Sequence, residues 1–104
     1  GSGMHTSVEQ DNGRAVVKLS GRFDFNSHRE FRAAYENLLG RGDLKEFVVE
    51  LGGVDYLDSS ALGMLLLLRD KVALENKAVS LANCQGNVRQ VLDIANFGKL
   101  FKIS

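Results

Sequence analysis

Leu51-Gly-Gly-Val-Asp-Tyr-Leu-Asp-Ser-Ser-Ala-Leu-Gly-Met-Leu65 is the transition around which the rest of the chain is arranged. An apolar strand runs out at Leu51, and Leu57 then delivers Asp58, Ser59 and Ser60 to the mouth of a leucine-rich helix. A hydroxyl or carboxylate before an apolar helix is ordinarily a cap. The N–H groups exposed at a helix N-terminus also favour anions, so a phosphoserine there suits the fold equally well. Three capping-competent residues in a row exceed what one helix needs, and local chemistry leaves both readings open.

Upstream of this segment, Glu46-Phe-Val-Val-Glu-Leu51 reads as a strand whose β-branched and aromatic content suits a buried place in a parallel sheet. Before it, Asn26 and Ser27 are expected to cap a helix reaching about Leu39. Its Phe31, Ala34, Tyr35 and Leu38 share one buried face, while His28, Arg29, Arg32 and Glu36 stay wet. Gly40 and Gly42 end that helix. Ala15–Leu19 forms a strand ending at Ser20-Gly21, Met4–Glu9 has weaker strand character, and Asp11-Asn-Gly13 is a hairpin turn signal.

Downstream, the helix from Ser60 to about Glu75 is expected to bury Leu62, Leu65, Leu66 and Val72. Met64, Leu67 and Leu68 either join that core or form an apolar patch for a partner. Ala78–Ala82 is a further strand. Val88, Val91, Leu92 and Ala95 mark a short helix after Gly86, and Leu100–Ile103 suits an edge strand.

The order β-β-α-β-α-β-α-β implies an α/β fold: one mixed sheet of four to five strands with three to four helices. Right-handed crossovers place those helices mainly on one face.

At 104 residues the chain is one domain, expected to span 4–104, with Gly1-Ser-Gly3 read as a cloning remnant ahead of Met4. Basic and acidic residues both number 13, so no global field attracts nucleic acid or anionic lipid. The single cysteine, Cys84, excludes an internal disulfide and a cysteine metal cage, and His5 and His28 have no ligand spacing. No metal or cofactor is expected. The longest leucine run, Leu65–Leu68, is one helical turn, so no segment is expected to enter a membrane. The start lacks the pattern of a secretory leader, and the expected location is the cytoplasm. Catalysis is not expected either. Asp58-Ser59-Ser60 is not the Gly-x-Ser-x-Gly of a hydrolase elbow, and there is no phosphate-binding Gly-x-x-x-x-Gly-Lys loop.

The run Val54-Asp-Tyr-Leu-Asp-Ser-Ser-Ala-Leu-Gly63 resembles the signature of STAS domains, especially the anti-sigma factor antagonists of bacteria. Ala61 stands where the commoner family form has glycine, a mild departure since alanine is the best helix former. The resemblance implies the same α/β layout. It also implies a binding module phosphorylated at this helix start by an anti-sigma factor that is itself a serine kinase (GHKL type). A PP2C-type phosphatase would restore it. Unphosphorylated, the module would hold the kinase and free its client, a sigma factor or a secretion, motility or biofilm circuit. Ser60 matches the usual acceptor, with Ser59 the alternative. Gly21-Arg-Phe-Asp-Phe-Asn26 resembles the family's Gly-x-Leu/Phe-Asp loop beside that serine. The partner-binding residues so implied are Asp24, Asn26, Asp58, Ser59, Ala61, Leu62 and Met64. Asp24 reads equally well as a turn carboxylate capping the helix. The alternative function is a constitutive STAS subunit of a transport or sensory assembly without phosphorylation. A monomer is expected, with a dimer through the helix face as the variant.

Overall fold

Asn12 and Gly13 start the architecture. Both adopt positive φ, 50° and 80°, in a two-residue turn that joins β1 (Met4–Asp11) to β2 (Arg14–Phe23) as an antiparallel hairpin. The turn's twist matches that of the strands, and Gly13 supplies the conformation most residues avoid. The computed structural model describes residues 3–104. Gly1 and Ser2 of the expected remnant lie outside the described residues, while the Gly3 carbonyl accepts from the Arg22 N–H at 2.7 Å and extends the hairpin by one pair.

From β2 the chain passes through a 3-10 turn, Phe25–Ser27, into α1 (His28–Glu36), then β3 (Glu46–Leu57) and α2 (Ser59–Ala73). It continues into β4 (Ala78–Ala82), α3 (Gly86–Ile94) and β5 (Lys102–Ile103), the last shorter than the expected Leu100–Ile103. Among the described residues the sheet order is β1-β2-β3-β4-β5, with β2 to β5 mutually parallel and β1 antiparallel at one edge. The expected mixed sheet of an α/β fold is therefore found.

Alternation sets which face is dry. Ala15 and Val17 of β2 register with Phe47 and Val49 of β3, and those with Val79 and Leu81 of β4, while Leu19 follows on the same face of β2 where the register slips. All are buried in one cluster with Phe31, Tyr35, Leu65, Leu68, Val88 and Leu92 of the helices. Among the described residues of the reverse face only Val48 is buried. Lys18, Ser20, Glu46 and Glu50 there retain solvent contact, and Arg14–Glu46 and Lys18–Glu9 ion pairs close at 2.7 and 3.0 Å.

Three expectations are corrected. β3 does not stop at Leu51 but runs six residues further, through Gly52-Gly53 to Leu57. Those glycines let two strands approach. A Cβ on Gly53 would lie 2.8 Å from that of Ser20, where β2 slips register against β3. The second correction concerns α2. Its buried stripe is Ala61, Met64, Leu65, Leu68 and Val72, with Leu62 and Leu66 only half-buried and Leu67 exposed. A helix apolar on nearly every side gives periodicity little to choose between. Third, Ala95 is exposed at the end of α3 rather than on its buried face.

Cys84 packs into the core, and burial pushes its thiol up to about 11. Only the thiolate is a nucleophile, so at pH 8 native Cys84 should alkylate roughly 100-fold slower than a free thiol of pKa near 8.5. Iodoacetamide labelling, with the urea-unfolded chain as control, measures this. Equal rates would show that the thiol is not protected by the core.

Candidate functional site

β2 and β3 are neighbours, and their last residues, Phe23 and Leu57, are directly paired. The two strands therefore release their following segments at one place, and each does so through an aspartate. Asp24 and Asp58 both have extended backbones, at φ −133° and −109°, and both cap the helical turn that follows. Asp24 Oδ1 accepts from the Asn26 N–H at 3.0 Å. Asp58 Oδ1 accepts from the Ala61 N–H at 3.0 Å. Loops at the C-terminal ends of parallel strands are the usual place for function in open α/β sheets.

The two turns are tied together. Asp58 Oδ2 accepts from the Phe25 N–H at 3.2 Å, and the Asp58 N–H donates to the Phe23 carbonyl at 3.3 Å. Buried Ser27 fixes the first turn: its Oγ donates to the Arg22 carbonyl at 3.0 Å and accepts from the Asp24 N–H at 3.1 Å. The Arg22 guanidinium lies 4.1 Å from the centre of the Tyr56 ring and 3.5 Å from Asp24 Oδ2.

This arrangement corrects the expected start of the first helix. Asp24 rather than Asn26 is the cap that accepts a hydrogen bond, and Ser27 at the head of α1 makes no side-chain cap bond, its hydroxyl being committed to Arg22. The capping reading of Asp24 thus describes its structural role.

At α2, Asp58 does the capping alone. Ser59 and Ser60 occupy the first two helical positions, both are exposed, and neither hydroxyl has a protein partner among the described residues. Their N–H groups belong to the first turn, where the helix offers no internal acceptor. Ser60 lines a shallow groove of about 350 Å³ with Phe25, His28, Gly63, Met64 and Leu67. Phe25 is 68% exposed there and Leu67 42%.

The expected partner-binding residues therefore divide. Asp24, Asn26, Asp58 and Ser59 gather at the paired strand ends, with Asn26 and Ser59 exposed. Ala61 is corrected: it is 0% exposed and its methyl packs into the core, so it offers a partner no surface. Leu62 is half-buried against the core, and Met64 reaches the groove only as its floor. Phe25, His28 and Gly63 line the groove without belonging to the expected partner-binding set. An aromatic at Phe25, outside any helical or strand period, was the available signal.

Removing the Asp58 carboxylate strips the cap of α2 and the acceptor for the Phe25 N–H together. Asp58→Ala is expected to destabilise the domain by about 1–2 kcal/mol. Thermal melts should show Tm falling by about 4–8 °C per kcal/mol for a domain of this size, and an unchanged Tm would show that the tie carries no energy. Asp58→Asn, which keeps an oxygen acceptor, should recover most of the loss.

Among the described residues no helix is long and apolar enough to cross a membrane. A profile of the family described as Mlab, STAS domain matches residues 6–102. A STAS-domain containing protein of Pseudomonas aeruginosa (strain UCBPP-PA14) is 51% identical over 94 residues, covering 90% of this chain and 91% of that protein. An anti-sigma F factor antagonist of Paenibacillus polymyxa is 28% identical over 102 residues, covering 96% and 86%. Among solved structures, an anti-sigma factor antagonist from Mycobacterium paratuberculosis superposes with a TM-score of 0.84 at 22% identity, covering 96% of this chain and 84% of that one. The Bacillus cell fate determinant SpoIIAA in its phosphorylated form gives 0.73 at 18% identity, covering 96% and 91%. At such identities these structural likenesses speak for the fold. With the profile spanning nearly the whole chain and a relative at 51% identity, the chain belongs to the STAS domain family.

Proposed function

We propose that this chain is a phosphorylation-controlled anti-sigma factor antagonist, with Ser60 as acceptor and Ser59 as the alternative. The observation that carries the reading is the division of labour at α2. Asp58 supplies the cap, so two exposed hydroxyls stand at the helix start with no structural duty. Ser60 is favoured because it alone of the two lines the groove with exposed Phe25 and Leu67. The relatives named anti-sigma factor antagonists and the phosphorylated SpoIIAA fold support the same reading.

In this scheme the unphosphorylated domain docks on an anti-sigma factor that is a GHKL-type serine kinase in the cytoplasm. The kinase moves the γ-phosphoryl group of ATP to Ser60 Oγ, ADP leaves, and the hydroxyl proton passes to the kinase's base. A phosphate adds about −1.5 to −2 charges beside Asp58 and Asp24. The N-terminus of α2 favours that charge, so the fold tolerates it. A partner that buries the same surface must desolvate the dianion or supply cations, and it lets go. A PP2C-type phosphatase hydrolyses the ester and resets the domain.

Intact mass of the chain isolated from its native host, with fragmentation across Asp58 to Met64, tests this. A phosphate on Ser60, removable by a PP2C phosphatase, is expected. One on Ser59 would move the site by a residue. An unmodified chain under growth, stress and stationary conditions would overturn the switch.

A further inference from the structure

Gly63 is a glycine without a structural reason. It lies inside α2, where glycine costs about 1 kcal/mol relative to alanine. Elsewhere the described glycines have a reason in the fold or, like the equally unhindered Gly42 and Gly98, lie outside the α-helices, where glycine carries no such cost. Gly13, Gly21, Gly40 and Gly86 have positive φ, and a side chain on Gly53 would strike Ser20. Gly63 has neither excuse: its φ is not positive, and a Cβ built on it meets nothing within 4 Å.

Its position supplies what packing does not. Residues three and four apart share a helix face, so Gly63 stands one turn beyond both Ser60 and Ser59. It belongs to the groove formed by Phe25, His28, Ser60, Met64 and Leu67. The stretch of helix backbone beside Ser60 is therefore bare toward the groove, while an exposed aromatic and an exposed leucine border it.

We infer that Gly63 is a clearance residue: its missing side chain lets the docking kinase reach the α2 backbone and so sets how near the transferring phosphoryl group comes to Ser60. This rests on the phosphorylation reading above. A serine held in a helix cannot be drawn out into an extended strand, so the kinase must come down onto the helix itself. Reacting atoms have to approach within about 3–3.5 Å, and a displacement of about 1 Å can cost 100-fold in rate. A methyl group at Gly63 would hold the partner off by more than that.

The test is Gly63→Ala, with Gly98→Ala as control, since Gly98 is outside the groove and its Cβ also meets nothing within 4 Å. Purified chains are incubated with extract of the native host and labelled ATP. The rate of Ser60 phosphorylation is read by mass spectrometry beside a thermal melt of each sample. Gly63→Ala should melt higher than wild type and be phosphorylated at least about 10-fold slower, with Gly98→Ala matching wild type in rate. A phosphorylated wild type matched in rate by Gly63→Ala would overturn the clearance role alone. A wild type that takes up no phosphate would overturn the phosphorylation reading and the clearance role with it. A lower Tm for Gly63→Ala would show that the position is sterically committed and refute the inference from the other side.

Discussion

Ser60→Glu should abolish partner docking while leaving the melting temperature at or slightly above that of the unmodified chain. A carboxylate in the first turn of α2 is favoured by the helix by about 0.3–1 kcal/mol. The same charge in a buried interface lacks a partner, and stranding a buried charge costs about 3–5 kcal/mol. Each 1.4 kcal/mol is a factor of about ten, so affinity for the proposed anti-sigma kinase should fall by about 100-fold or more. Ser60→Ala should do the reverse: no phosphate is accepted, yet binding persists, because the methyl introduces no charge and Asp58 still caps the helix. Isothermal titration with the kinase, alongside melts of both variants, separates docking from folding. If Ser60→Glu bound as tightly as wild type, charge at this position would not be the switch.

The largest loss of stability is expected at Phe31. Its ring is 1% exposed and lies 5.0 Å from Phe23 and 5.2 Å from Tyr35, centre to centre. Phe31→Ala removes a large buried side chain and two aromatic contacts at once. A loss of about 3–5 kcal/mol is expected from the cavity, with each aromatic contact worth about 0.5–1.5 kcal/mol beyond its area. Domains of this kind have only about 5–15 kcal/mol in total. Urea unfolding should place the midpoint far below wild type. Phe31→Leu, which keeps most of the volume, should lose no more than about 1.5 kcal/mol. Because Phe23 immediately precedes Asp24, the void opens beneath the candidate site. Wild-type stability in Phe31→Ala would mean that α1 is not anchored through this ring.

The sequence was most legible where one residue type has one use. Asn12-Gly13 is a turn signal suited to closing a hairpin and does close one, and the strand at Ala78–Ala82 appears with the expected bounds. The layout of the sheet followed from the order of strands and helices. Legibility failed where neighbours supply the reason. The apolar run ends at Leu51, and the strand's continuation rests on Ser20 of the adjacent strand, beside which Gly53 has no room for a side chain. In α2, Leu62 and Leu66 looked as deserving of burial as Met64 and Leu68, and only the sheet beneath decides. At the site, Asp58 was visible as a cap, but its second bond to the Phe25 N–H joins residues 33 apart and no local pattern announces it. Phe25 likewise takes its surroundings from residues distant in sequence, most of them in α2, with His28 of α1 beside them.

The stacking of Arg22 on Tyr56 has a practical side. The chain has no tryptophan and two tyrosines, one at each kind of place. Tyr35 is sealed in the core, while Tyr56 stands half in solvent near the paired strand ends under a guanidinium. The protein thus carries two built-in optical reporters. Loss of the fold exposes both phenols, whereas an event confined to the proposed docking surface disturbs only Tyr56, so ultraviolet absorption and tyrosine emission can follow the proposed switch in real time without an added label.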